Sequence, residues 1–452
     1  MRETFLDFYR CPAAFASFAL APEVSTGPGY FHFGPEIVCF GNCASGHSSH
    51  FPKNGLYDSF RDVTADAGGI RLPFDLTQVI DNLRLERYTA TSNHHSIERM
   101  IREGYYFVRP VLGVATRKHL QKLFLRGWEE LPFPRWPLDT TVEQLFEKLM
   151  LIALEWKNVE TVPFIWFWPD GAPSCVMMTH DVETEAGANF CTKLMDIDRA
   201  SGIRAAFQIV PEERYPVSLE LLESIRRRGF ELNVQDLNHD GRLFRNHKTF
   251  LARAESINRY ARIYGSRGFR AAAMYRNPDW CEALDVSYDL SIPNTAHLEA
   301  QRGGCCTVFP YFIGKILELP LTTTQDYSLF HILGEYSIDL WKRQISLIQK
   351  KHGLISFIIH PDYIIPERAR NTYQALLDHL ARREAGGEAW SALPGEVDTW
   401  WRARSRMELV AEGGRWVIKG PGSERARVAF AVREGNELVY RFSNDTTASC
   451  HV

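Results

Sequence analysis

No two cysteines of this chain form a Cys-x-x-Cys pair, and the nine that occur are scattered from Cys11 to Cys450, an odd number. That pattern excludes a zinc ribbon and argues against a disulfide framework. Reduced thiols in a cytosolic protein fit it best. Long apolar runs are missing too. Nothing reaches the ~20 consecutive apolar residues of a membrane-spanning helix, so no membrane span is expected. The mildly apolar run 11–21 is short, contains Pro12, and follows a segment with Glu3 and Asp7 beside Arg2 and Arg10. It is not read as a secretion signal, and the expectation is a cytoplasmic protein. A strong excess of one charge is the third absence. The net charge of -3 offers no general attraction to nucleic acid or to an anionic membrane.

What remains is globular composition, 45% hydrophobic over 452 residues, long enough for two or three domains with their own cores. Residues 1–85 are rich in Gly, Pro, Ser and aromatics and read as an irregular, β-rich region, with a strand at 37–40. Cys39, Cys43, His47 and His50 within it match no zinc spacing and are read as loop residues. Residues 86–170 read as a helical connecting region, with helical spacing at 96–102, 117–125 and most clearly 141–156. The apolar stripe of that last helix is Leu145, Leu149, Ile152 and Trp156. The aromatic run 164–169 is read as core packing. Strand-like and helix-like segments then alternate through a region placed at 171–405. The strands fall at 204–210, 230–234, 269–275, 316–321 and 354–360, and the helices at 188–201, 218–228, 249–264, 337–351 and 369–383. Alternation of this kind predicts βα units around a parallel sheet or barrel. A helix at 397–404 follows. Residues 406–452 read as a small β unit, with strands at 407–410, 415–419, 426–432 and 437–442.

The chemistry concentrates where strands end. The apolar run 175–178 leads into Thr179, His180, Asp181 and Glu183. In parallel α/β folds, sites form at the C-terminal edges of strands. Asp181 and Glu183 are two apart and share a face in extended geometry. Two such carboxylates repel unless a cation or a shared proton lies between them, which points to a metal or acid/base site; solvated acids at a strand end are the plain alternative. Further polar clusters are Asn233 to Asp240, Tyr275 to Trp280, Tyr288-Asp289 before Ser291, and His360-Pro361-Asp362-Tyr363. Four of these clusters each follow a strand-like run, and are expected to meet at one mouth. His247, His297, His331, His352 and the His94-His95 pair fall outside the pattern and are read as structural.

In order and spacing these clusters resemble the polysaccharide deacetylases, the NodB-homology enzymes of carbohydrate esterase family 4. That family has an Asp-containing strand end, a His-x-x-x-His turn, an Arg-x-Pro strand end and a late apolar strand ending in His. This chain has His180-Asp181, Gln235-x-x-x-His239, Arg276-Asn277-Pro278 and His360, over residues 171–385. The resemblance implies an α/β fold: a distorted (β/α) barrel of NodB-homology type, here with an N-terminal α+β extension and a small C-terminal β unit. It implies a divalent metal, commonly zinc, and hydrolytic removal of acetyl from an N- or O-acetylated sugar, so a carbohydrate is the expected partner. By resemblance Asp181 is the catalytic base, His360 the catalytic acid and Arg276 the group that orients the base. Asp289 is expected to hold His360 or Arg276. Glu183 and His239 are expected metal ligands. Val182 stands where members with adjacent aspartates carry their ligand, so Asp181 and Glu183 remain exchangeable as base and ligand. Gln235 replaces the family's first ligand histidine. A neutral amide oxygen binds zinc less well than imidazole, so weaker metal affinity is expected. Two rival readings are a non-catalytic barrel that binds glycan or a protein partner, and a hydrolase of other C–N amide bonds.

Overall fold

The computed structural model describes residues 1–44, 46–51, 55–66, 68–91, 120 and 123–442. The helix expected at 96–102, most of 117–122 and the His94-His95 pair lie outside them. The chain forms two compact units, one of Met1–Asn93, Thr140–Gly171 and Trp400–Val452, the other of His94–Asp139 and Ala172–Thr399. No helix among the described residues is long and apolar enough to cross a membrane.

In the first unit the main helix is Thr141–Lys157, closed by Asn158 in the left-handed conformation. It buries Val142, Leu145, Phe146, Leu149, Met150, Ala153 and Leu154 at three- and four-residue spacing. Ile152 and Trp156 are half-exposed, so the buried face is rotated from the expected stripe. Strand Thr161–Ile165 pairs with Val428–Glu434, which pairs in turn with Glu437–Phe442. Two of the expected tail strands therefore complete a sheet begun much earlier in the chain, while Glu408–Glu412 and Arg415–Lys419 form a hairpin of their own. Phe164 to Trp168 are all buried, as core packing requires. Their backbone is anchored by the buried Arg404, which donates to the carbonyls of Ile165 and Trp166 and also of Phe8. Burial pulls the Arg404 pKa down to about 9. Cys39 and Cys43 are buried while His47 and His50 are exposed. None of the four belongs to the group able to hold a metal ion among the described residues.

The second unit is built on a nine-stranded sheet. Its strands are β1 (Cys175–Val182), β2 (Ala205–Ile209), β3 (Glu231–Gln235), β4 (Gly268–Arg270), β5 (Tyr288–Asp289), β6 (Tyr311–Ile313), β7 (Ile316–Glu318), β8 (Leu354–Ile359) and β9 (Trp390–Ser391). The hydrogen-bonded path is β6-β7-β5-β4-β3-β2-β1-β8, with β9 beside β1. Every pair is parallel except β6 with β7. Helices α1 (Glu185–Ala200), α2 (Leu219–Arg227), α3 (His247–Ile263), α4 (Asp339–Gln349) and α5 (Glu367–Ala385) alternate with the strands. Thr184, Ser218 and Asn246 cap the first three through their side-chain oxygens.

Side chains join the segment after β7 to β8. Thr322 Oγ1 donates to Leu354 O (2.7 Å), Thr323 Oγ1 to Ser356 O (2.7 Å) and Ser356 Oγ to Pro320 O (2.5 Å). Three hydroxyls thus satisfy backbone groups that a regular ladder would otherwise pair. The expected strand 269–275 is corrected by the structure: β4 ends at Arg270, and Ala273 and Met274 take the left-handed conformation at φ 52° and 54°. Two successive left-handed residues cannot continue a strand, and three alanines bring little strand propensity to resist them.

Candidate active site

Six polar side chains reach one mouth from the C-terminal ends of the parallel strands. Asp181 is the next-to-last residue of β1, with Glu183 just beyond the strand's end. Gln235 closes β3, and His239 follows after a turn in which Asp236 and His239 both have positive φ, 50° and 52°. Such backbone is unfavourable for residues other than glycine and persists where the surroundings impose it. Here it swings His239 back toward Glu183. Arg270 closes β4 and His360 follows β8.

Glu183 is the meeting point. His239 Nε2 lies 2.7 Å from Glu183 Oε1, and His360 Nε2 lies 3.5 Å from the same atom. Gln235 Nε2 donates to Glu183 Oε1 (2.9 Å) and to Asp181 Oδ2 (3.1 Å), bridging the two carboxylates. The same-face expectation for Asp181 and Glu183 is met. His180, one residue before Asp181, points to the other face of β1 and bonds Asp198 of α1 at 2.9 Å, and Asp198 in turn accepts from Tyr373 of α5 (2.6 Å). That buried network holds β1 to its helices.

Burial pushes the Glu183 carboxyl up, but His239 and His360 outweigh it and hold Glu183 well below the usual carboxylate range. Burial opposes charge on His360 as well, yet Asp326 and Glu183 raise it well above an ordinary histidine. His239 is raised in the same way by Glu183. His360 thus lies between two carboxylates, Asp326 and Glu183, that both favour its protonated form.

Two residues of the site were not read from the sequence. Arg270, 1% exposed, places Nη1 2.5 Å from Asp181 Oδ1 and donates also to Thr179 Oγ1 (2.8 Å) and Leu290 O (3.1 Å). Asp326 accepts from both His360 Nδ1 and His360 N, each at 2.7 Å. The roles expected of Arg276 and Asp289 are corrected accordingly. Arg276 Nη1 donates to Met274 O (2.7 Å), and the guanidinium against Asp181 is that of Arg270. Asp289 accepts from Leu290 N and Ser291 Oγ and faces Glu318 across β5 and β7, while His360 is held by Asp326. Arg270 sat inside the expected strand 269–275, where a lone cation in an apolar run is itself a signal, since a buried arginine demands an anion. Asp326 ends the polar run after the strand-like segment 316–321, which follows the same rule as the other clusters.

The Asp289–Glu318 pair carries a prediction. Burial raises Asp289 from 3.8 to about 6 and pushes Glu318 well above the usual range. A carboxyl whose folded pKa lies above its unfolded value favours the folded state while protonated. Stability is therefore expected to fall as pH rises from about 4 through about 6. Asp289→Asn, which keeps the acceptor for Leu290 N, is expected to flatten that fall. Denaturant unfolding at pH 4.5 and 7 measures it, and an unchanged pH slope would remove the pair as its source.

The donor set suits a cation. Asp181, Glu183 and His360 each offer one ligand atom, all within 4.8 Å of one another. Gln235 Oε1 is buried and without a partner. A half-turn of that amide would present its oxygen to a cation and withdraw its NH2 from the carboxylates.

No family model matches the chain, and no curated protein does. Solved structures similar to it include polysaccharide deacetylases of carbohydrate esterase family 4, at low identity and over about half of the chain. A protein of Mycobacterium smegmatis assigned as a polysaccharide deacetylase is 19% identical, with a TM-score of 0.44 over 56% of this chain and 98% of that one. A peptidoglycan deacetylase of Bacillus subtilis is 11% identical, with a TM-score of 0.32 over 50% of this chain and 90% of that one. An allantoinase is 11% identical, with a TM-score of 0.41 over 52% and 92%.

Proposed function

We propose that the chain is a metal-dependent hydrolase that removes an acetyl group from an N- or O-acetylated sugar. The observation that carries this reading is the convergence of His239 and His360, from strands far apart in the sequence, on Glu183 beside Asp181. Glu183, His239 and Gln235, turned to present its oxygen, would hold a divalent cation such as zinc. When bound, that cation acidifies water and polarises the acyl carbonyl. Asp181, fixed by Arg270, takes the proton of the attacking water. His360, kept protonated by Asp326 and Glu183, gives its proton to the departing amine or alkoxide. These partners favour one side of the exchange left open by the sequence, with the carboxylate held by a guanidinium as base and the one facing imidazole as ligand.

A second reading is favoured by one observation. The Gln235 amide nitrogen already bridges the two carboxylates, as a cation would, which suits a barrel that binds glycan without turning it over. Metal analysis and acetate release from a panel of acetylated sugars, run beside small cyclic and linear amides, decide between them. Acetate from a sugar supports the hydrolase; turnover of amides alone would transfer the site to other C–N bonds. Gln235→His is expected to tighten zinc binding by at least about tenfold, the scale on which metal-shell changes act. Unchanged affinity in a zinc titration would place Gln235 outside the metal shell.

A further inference from the structure

β2 reads Ala-Ala-Phe-Gln-Ile and carries one polar side chain, Gln208. That residue is 0% exposed, and neither its Oε1 nor its Nε2 has a hydrogen-bond partner among the described residues. Burying both ends of an amide unsatisfied is costly, and folded proteins do so where another group is to meet them. The register locates the amide. Gln208 pairs with Asp181 of β1 on one side and with Asn233 of β3 on the other. Paired residues of adjacent strands project from the same face of a sheet, so Gln208 shares the face that brings Asp181 to the site.

Asn233 already has its partners. Its Oδ1 accepts from Gly268 N (3.1 Å) and Tyr288 OH (2.9 Å), and its Nδ2 donates to Glu231 Oε1 (3.0 Å). Gln235 stands two residues beyond Asn233 on the same strand and face, diagonal to Gln208. Strands about 4.8 Å apart, rising about 3.3 Å per residue, put such neighbours about 8 Å apart, a gap that two glutamine side chains span. Gln235 Nε2 donates to Asp181 Oδ2 (3.1 Å) and Glu183 Oε1 (2.9 Å), while its Oε1 is buried without a partner among the described residues. Turning that amide toward a cation exchanges its two ends. Asp181 Oδ2 then loses a donor, and the Gln235 NH2 arrives where its oxygen was and needs an acceptor. Gln208 holds one unused donor and one unused acceptor on the strand between those two groups.

We infer that Gln208 is a positioning residue for Asp181 that comes into use when Gln235 turns toward a cation. Gln208 Nε2 donates to Asp181 Oδ2 in place of Gln235, and Gln208 Oε1 accepts from the turned Gln235 Nε2. Holding a metal and keeping the base oriented are thereby one event, and Asp181 Oδ2 has a donor in both states. The inference rests on the metal-dependent reading and deepens it.

Gln208→Met, which keeps an unbranched side chain of similar length, tests this in the full chain. Zinc affinity is measured by calorimetry and the stability of the chelator-treated protein by urea unfolding; neither readout depends on acetate release. Gln208→Met is expected to weaken zinc binding by about tenfold, the lower end of what outer-shell partners of a metal contribute. The chelator-treated variant is expected to unfold at the same urea concentration as the wild type or a higher one, because it has lost two unsatisfied atoms. In a Gln235→His background no amide has to turn, so Gln208→Met is expected to change zinc affinity by less than about twofold. Zinc affinity unmoved in the single variant overturns the inference and leaves the metal site standing, whether or not the urea midpoint falls. An equal loss of zinc affinity with Gln235 and with His at that position also overturns it, since the effect would not run through the turned amide. A wild type that binds neither zinc nor manganese overturns the metal-dependent reading, and this exchange with it.

Discussion

Asp181→Asn is expected to lower kcat for acetate release by about two to four orders of magnitude, the range attributed to a positioned general base. KM should stay within a few-fold of the wild-type value. The substitution keeps the shape of the side chain and leaves an oxygen for Arg270 to bond, so the fold around β1 has no reason to change. What it removes is the ability to take a proton from water. The same variant separates base from ligand. Asp181 touches Arg270 and Gln235, whereas Glu183 touches Gln235 and both histidines. Zinc stoichiometry should therefore survive Asp181→Asn and be lost in Glu183→Gln. A kcat within about threefold of wild type would end the assignment of Asp181 as base. Loss of zinc in Asp181→Asn, with retention in Glu183→Gln, would exchange the two roles.

The elements of the second unit were legible because their signals are local. Apolar runs of strand length gave β1, β2, β3 and β8, and Ser218 marked the start of α2 with the oxygen that caps it. Asp181, Glu183, Gln235, His239 and His360 were legible because each follows such a run. The polar contacts between elements were not. Periodicity reports which side chains are buried and says nothing of which buried cation meets which buried anion. Arg270 and Arg276 both sit near one strand end, and only the left-handed turn at Ala273 and Met274 decides which of them faces Asp181. Asp326 reaches His360 because hydroxyls of Thr322, Thr323 and Ser356 join two segments with little in common in sequence. The Asp289–Glu318 pair depends on the register of β5 against β7, which a sequence pattern does not encode.

Arg270→Met is expected to destabilise the protein by about 3–5 kcal/mol, the loss seen when one partner of a buried ion pair is removed. Arg270 and Asp181 are 1% and 3% exposed, so solvent cannot replace the missing guanidinium. Thr179 Oγ1 and Leu290 O lose a donor in the same step. The largest part of the loss comes from the unpaired Asp181 carboxylate, and this is open to a double-mutant cycle. Arg270→Met combined with Asp181→Asn leaves no charge to strand. The pair should unfold in urea at a higher concentration than the sum of the single effects allows, with a coupling of at least about 1 kcal/mol. Arg270→Lys supplies the second arm. It keeps the charge but loses the planar fork that also reaches Thr179 and Leu290, so it should recover most of the stability and only part of kcat. Strict additivity in the cycle, together with full activity in the lysine variant, would mean that Arg270 neither neutralises nor orients Asp181, and the base would then have to be held by another group.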